Sequence, residues 1–205
     1  MDLHAPAGHI RSLKEFLLHI CIVTIGILIA LGLEQIVESR HRARIAAEAV
    51  AGFQRELADD VVHVKEVLKE MDKLRSRTQA EITSLSALPA RAPAASPIKY
   101  PGVHFDLVSS ASWDTAIATQ ALIDLPYEKV RRFADAYGAV HLFLEQEHVG
   151  LATWHNLHRF GDNASALTLE QRSELIEQFR LYENYTILIE NVGEHTLQAC
   201  QSALN

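Results

Sequence analysis

The sequence predicts an all-α protein: an N-terminal transmembrane helix continuing into a long helix, followed by an antiparallel helical bundle. Three observations predict it. Phe16 to Leu33 is a run of eighteen residues without Asp, Glu, Lys or Arg, bounded by Glu15 and Glu34. From Glu34 to about Leu88 there is no proline and one glycine, Gly52, and the apolar residues recur at steps of three and four. No stretch shows the alternation of a strand. The expected organisation is a tail over residues 1–15, an anchor over 16–33, a stalk or bundle helix over 34–88, a proline-rich loop over 89–103, and the rest of the bundle over 104–205.

The anchor comes first. Eighteen helical residues rise roughly 27 Å at about 1.5 Å each, close to the ~30 Å apolar thickness of a bilayer. A cleaved signal peptide is the rival reading, with Arg11 and Lys14 as its basic region and Ala30 and Gly32 as small residues at a cleavage site. The run exceeds the roughly 7 to 15 apolar residues of such a peptide, and the helical pattern continues past Leu33, so a retained anchor is expected. Gly26 and Ala30 stand four apart, the spacing that lets two membrane helices approach closely. Orientation is not decided by charge, because Arg11 and Lys14 precede the span while Arg40, Arg42 and Arg44 follow it. A short tail before a long C-terminal domain is the usual arrangement of a signal anchor, which places the domain outside.

The formal charge of −7 lies outside this segment. Residues 1–33 are neutral, 34–99 carry 11 basic and 10 acidic residues, and 104–205 carry 6 basic and 14 acidic. An acidic distal half excludes the clustered Lys and Arg of a nucleic-acid footprint. Cys21 lies in the anchor and Cys200 near the other end, so no disulfide framework is expected.

In the stalk, Val50, Phe53, Leu57, Val61, Val64, Leu68, Met71, Ile82 and Leu85 form the predicted inward stripe, and Gly52 is the expected place for a bend. Pro89, Pro93, Pro97 and Pro101 prohibit helix and mark a long excursion, a candidate contact surface. Ser109, Ser110 and Ser112 offer N-caps for a short helix through Ala121. Pro126 opens the next helix, which runs to about Phe160 with Val130, Phe133, Tyr137, Val140, Leu144, Leu151 and Trp154 inward. Gly161 to Asn163 stops it, and Thr168 with Gln171 forms a capping box for the last helix.

Gly26-Ile27-Leu28-Ile29-Ala30-Leu31, followed by a charged helix, resembles the N-terminal anchor of a large family of uncharacterised bacterial membrane proteins. Ser112-Trp113-Asp114-Thr115-Ala116, then Leu122 and Leu125 leading to Tyr137, is similar to that family's second motif. Gln120 departs from it, standing where the family pattern has glycine. The resemblance implies a bacterial origin and this architecture, and no activity.

One constellation carries possible chemistry. His141 and His148 share a face, and Glu145 to His148 is the Glu-x-x-His spacing of carboxylate-bridged di-metal sites in helical bundles. Asp60 and His63 on the stalk, with Glu56 one turn earlier, are the nearest substitute for the second such pair that the site requires. Iron, manganese or zinc would be the metal, although bundle histidines that are exposed or hydrogen-bonded explain the same pattern. Catalytic motifs such as a phosphate loop or nucleophile elbow do not occur.

The expected function is a membrane-anchored helical interaction or scaffold module that works through a protein partner or self-association. A di-metal carboxylate and histidine enzyme, and a ligand-sensing domain that works with a partner, are the alternatives. The expected location is the bacterial inner membrane, with a single pass and a periplasmic domain.

Overall fold

The computed structural model describes residues 13–104 and 108–205. Arg11 and most of the expected tail lie outside the described residues. Helix α1 spans Leu13–Ala87, α2 Ala111–Ala118, α3 Tyr127–Leu157 and α4 Leu169–Leu204. Short 3₁₀ turns at His158–Phe160 and Ala164–Ala166 connect the last two. The chain divides into two compact units, one ending at Ala47 and the other Glu48–Asn205.

The first unit is helical from Leu13. None of its residues from Phe16 to Leu33 is buried. It contains a segment long and apolar enough to cross a membrane, all of it exposed on the chain's own surface.

The second unit is an all-α bundle whose core along α1 and α4 is built on steps of three and four, with Ile82 and Tyr185 buried beside that seam. Along α1 of this unit the buried positions are 50, 53, 57, 60, 64, 67, 71, 74, 78, 81, 82 and 85. In α4 they are 172, 175, 179, 182, 185, 186, 189, 193, 196, 200 and 203. This is the heptad seam of coiled-coil-like packing. Ring contacts of Phe53 with Phe133 at 4.9 Å and Tyr137 at 5.7 Å, and the meeting of Leu68 and Phe143 at Gly193, run α1 and α3 in the same direction. The Arg75–Glu190 ion pair at 2.7 Å and the Thr196 hydroxyl donating to the Ala139 carbonyl at 3.1 Å make α4 antiparallel to both.

A parallel α1 and α3 require a long return, and residues 88–110 supply it. The main-chain N–H of Lys99 donates to Glu81 at 3.1 Å, and Gly102 lies beside Leu74. Three extended residues at about 3.3 Å match seven helical ones at about 1.5 Å, so the strap retraces α1 in register. It is fastened to the bundle by several hydrogen bonds. Trp154 donates to the Pro101 carbonyl at 2.9 Å, Tyr182 to Gly102 at 2.9 Å, and Ile98 N–H to Asp162 at 2.9 Å. At its start, buried Arg172 donates to the carbonyls of Leu88, Pro89 and Ala90 at 2.8 to 3.2 Å. A cation from α4 thereby satisfies carbonyls just past the end of α1, whose last turn has no basic residue of its own.

Several expectations on the helices change in detail. Helix α1 is unbroken at Gly52; a Cβ there would sit 3.3 Å from Ser112 Oγ, so the glycine admits the start of α2 instead of bending α1. The core phase puts Asp60 and Val67 inside where Val61 and Leu68 were expected, and Phe143, Glu147 and Gly150 inside in place of Leu144 and Leu151. The capping box of Thr168 and Gln171 is present as read.

Candidate functional site

The short helix α2 is held to α1 by two carboxylates one turn apart. Ser110, the N-cap residue, makes no side-chain cap, because its hydroxyl donates instead to Asp114 at 3.0 Å. The orphan N–H of Ser112 donates to Glu56 from α1, at 3.0 and 3.2 Å to its two oxygens. A negative charge beside the positive end of the helix dipole is favourable there. Glu56 also accepts from the Ser109 hydroxyl at 3.0 Å and the Tyr137 hydroxyl at 2.8 Å, which ties α1, α2 and α3 together. Trp113 of α2 completes the junction, its ring 5.3 Å from Tyr137 and 5.5 Å from Phe53.

Asp60 is the second carboxylate and is only 1% exposed. Its Oδ1 accepts the Ser109 N–H at 2.9 Å, while its Oδ2 is buried without a hydrogen-bond partner. Burial pushes its pKa up to about 7; the Ser109 hydrogen bond and His63 pull it down, and Glu56 and Asp59 push it further up. Near neutrality it therefore exchanges a proton with its surroundings. Across the core, burial also pushes the Cys200 thiol up to about 12, with the charge of Asp60 adding to it. The Tyr137 hydroxyl is raised well beyond its usual range by burial first and then by its bond to Glu56. Outside this junction, Arg55, Glu56, Asp59, Asp60, His63 and Ser109 line an open cleft of about 410 Å³.

Of the residues read as metal ligands, Asp60 and His63 share this cleft. Glu145, His141 and His148 do not join them; all three are exposed on α3. The heptad phase turns Glu147 inward in their place. Among the described residues, no group of three or more His, Cys, Asp or Glu is placed to hold a metal ion. Glu190 is committed to Arg75. Gly26 and Ala30 are exposed on α1, and a Cβ on Gly26 would meet nothing within 4 Å. Phe133, Phe179 and Tyr182 are core residues.

Sequence reasoning named Asp60 for a metal and Glu56 only as its neighbour, and missed that both grip the serine-rich segment fifty residues later. The serines were the available signal: Ser109, Ser110 and Ser112, three within four residues, supply more donors than a short helix can satisfy locally. Comparison with protein-family models, with curated proteins and with solved structures finds no match for this chain.

Proposed function

We propose that the protein is a membrane-anchored helical interaction module, held by residues 16–33 and acting through a protein partner or a second copy of itself. The observation that carries this reading is the lack of any buried residue in the apolar segment. None of the eighteen consecutive uncharged residues from Phe16 to Leu33 is buried. Leaving the apolar side chains of such a segment in water costs about 25 cal/mol per Å², and a bilayer removes that cost. The second unit has a complete heptad core of its own, as a domain presented from a membrane must.

The reading includes a single pass in a bacterial inner membrane with Glu48–Asn205 on the periplasmic side. Alkaline extraction of membranes tests the anchor: the chain stays in the pellet, and Leu28→Arg with Ile25→Arg releases it. Accessibility of a cysteine introduced at exposed Asp135 to an impermeant reagent tests the side. Cross-linking in native membranes tests the mode of action, and a chain recovered only as an uncross-linked monomer would overturn it.

A further inference from the structure

The carboxylate pair on α1 holds the beginning of α2 unevenly, and the unevenness has a physical consequence. Glu56 has both oxygens occupied by donors, whereas Asp60 has one oxygen bonded to Ser109 and the other buried with nothing to accept from. Such an oxygen is tolerated when it carries a proton and is costly when the group is ionised. We propose that Glu56 and Asp60 form a proton-responsive latch, in which neutral Asp60 keeps residues 109–112 and the start of α2 closed on α1 and ionised Asp60 loosens them.

The groups around Asp60 fit this role. On its own helix Glu56 and Asp59 oppose its ionisation, and His63 favours it. From α3 it faces Tyr137, and from α4 it faces Cys200, two groups whose own protons burial holds. Arg55 lines the same cleft. Losing the proton thus places a second negative charge one turn from Glu56 in a site that burial keeps poorly hydrated. Opening the Ser109 segment toward the cleft admits water to Oδ2 and relieves both costs. The Ser109 N–H bond to Oδ1 favours the ionised form and opposes release, but it leaves Oδ2 unsatisfied, and burial outweighs it. The moving element carries Ile117, 53% exposed, and its release changes how that side chain is presented. The inference does not depend on the membrane partner proposed above.

Hydrogen exchange on the full chain in lipid nanodiscs tests it, with exchange times scaled for the intrinsic pH dependence of amides. Between pH ~6 and pH ~8 the protection of the Ser109 to Thr115 amides falls by up to about tenfold, following ionisation of a group titrating near neutrality. Amides of Val67 to Leu74 on α1 hold their protection and serve as the internal reference. In Asp60→Asn the change disappears, and Asp60→Thr does the same if the amide variant does not fold. Equal loss at the reference amides, no loss in the unaltered chain, or an unchanged loss in a folded Asp60 variant each overturns the latch.

Discussion

The hydroxyl of Tyr137 donates to Glu56 Oε1 at 2.8 Å, and the same carboxylate receives the Ser112 N–H that opens α2. One side chain therefore serves as a helix cap and as the acceptor for a phenol that is 1% exposed. Replacing it by alanine removes the cap and strands the Tyr137 hydroxyl and the Ser112 N–H. Glu56→Ala is expected to cost about 2 to 4 kcal/mol, whereas Tyr137→Phe costs about 1 kcal/mol because only one bond is lost. Denaturant unfolding of the full chain in detergent, followed by Trp113 and Trp154 fluorescence, measures both.

Gly150 of α3 has no room for a side chain, because the ring of Tyr185 from α4 occupies the place where its Cβ would go. Gly150→Ala is expected to destabilise by roughly 1 to 3 kcal/mol as the ring is forced aside. The double variant Gly150→Ala with Tyr185→Leu should recover part of that loss. A double-mutant cycle with no coupling would show that the two helices separate instead of repacking locally.

These two sites also explain what could be read in the sequence and what could not. The all-α class, the apolar N-terminal segment, the helix spans and the Thr168 capping box follow from periodicity and composition, which are local. The phase of the cores was harder to read. Periodicity reasoning follows apolar residues, so it chose Val61, Leu144 and Leu151; the seam takes Asp60, Glu147 and Gly150, whose places are fixed by partners on other helices. Asp60 is inside because Ser109 meets it, and Gly150 is inside because Tyr185 fills its space. The same blindness placed Glu145 and His148 at a metal site, since a Glu-x-x-His spacing defines a helix face without saying which way that face points. The prolines of the strap forbid helix and mark it as an excursion, but not where it is fastened. Its carbonyl acceptors, used by Trp154, Tyr182 and Arg172, leave no mark on local composition.

Gln120 is the one described non-glycine residue with positive φ, at 57°. It follows the end of α2, where the Ala121 N–H donates to Ala116 and the Gln120 N–H to Ile117, the hydrogen-bond pattern of a Schellman motif. Its left-handed conformation costs about 1 to 2 kcal/mol for an L-residue with a Cβ. Gln120 is exposed, so its side chain has little packing to lose. Gln120→Gly is expected to stabilise the second unit by about 1 kcal/mol, while Gln120→Val destabilises it. Thermal unfolding of the two variants in parallel gives the sign directly.

Arg172 donates to three consecutive carbonyls beyond α1 while being 4% exposed. Its partners are neutral dipoles, so salt has little to screen. Arg172→Met keeps the aliphatic stem but leaves those carbonyls without their donor, and is expected to cost about 1 to 3 kcal/mol at low and high ionic strength alike. Arg159→Met, which removes the exposed ion pair with Glu174, should cost less than about 1 kcal/mol and lose even that in high salt. Comparing unfolding midpoints of the two variants across a salt series separates a carbonyl clamp from a surface ion pair.

Asp60 gives the second unit a pH dependence opposite to that of ordinary paired carboxylates. Its pKa is about 7 in the folded chain against 3.8 for the free side chain, mainly because of burial. Between those values the folded state binds more protons at this group than the unfolded state does, so stability falls as pH rises through the window. A carboxylate with a lowered pKa does the reverse. The expected result is a stability that increases as pH drops from about 8 toward about 5. In Asp60→Asn this group's contribution is removed, and the curve between those limits flattens. Urea unfolding at successive pH values measures it, and a variant curve parallel to that of the unaltered chain would assign the slope to groups other than Asp60.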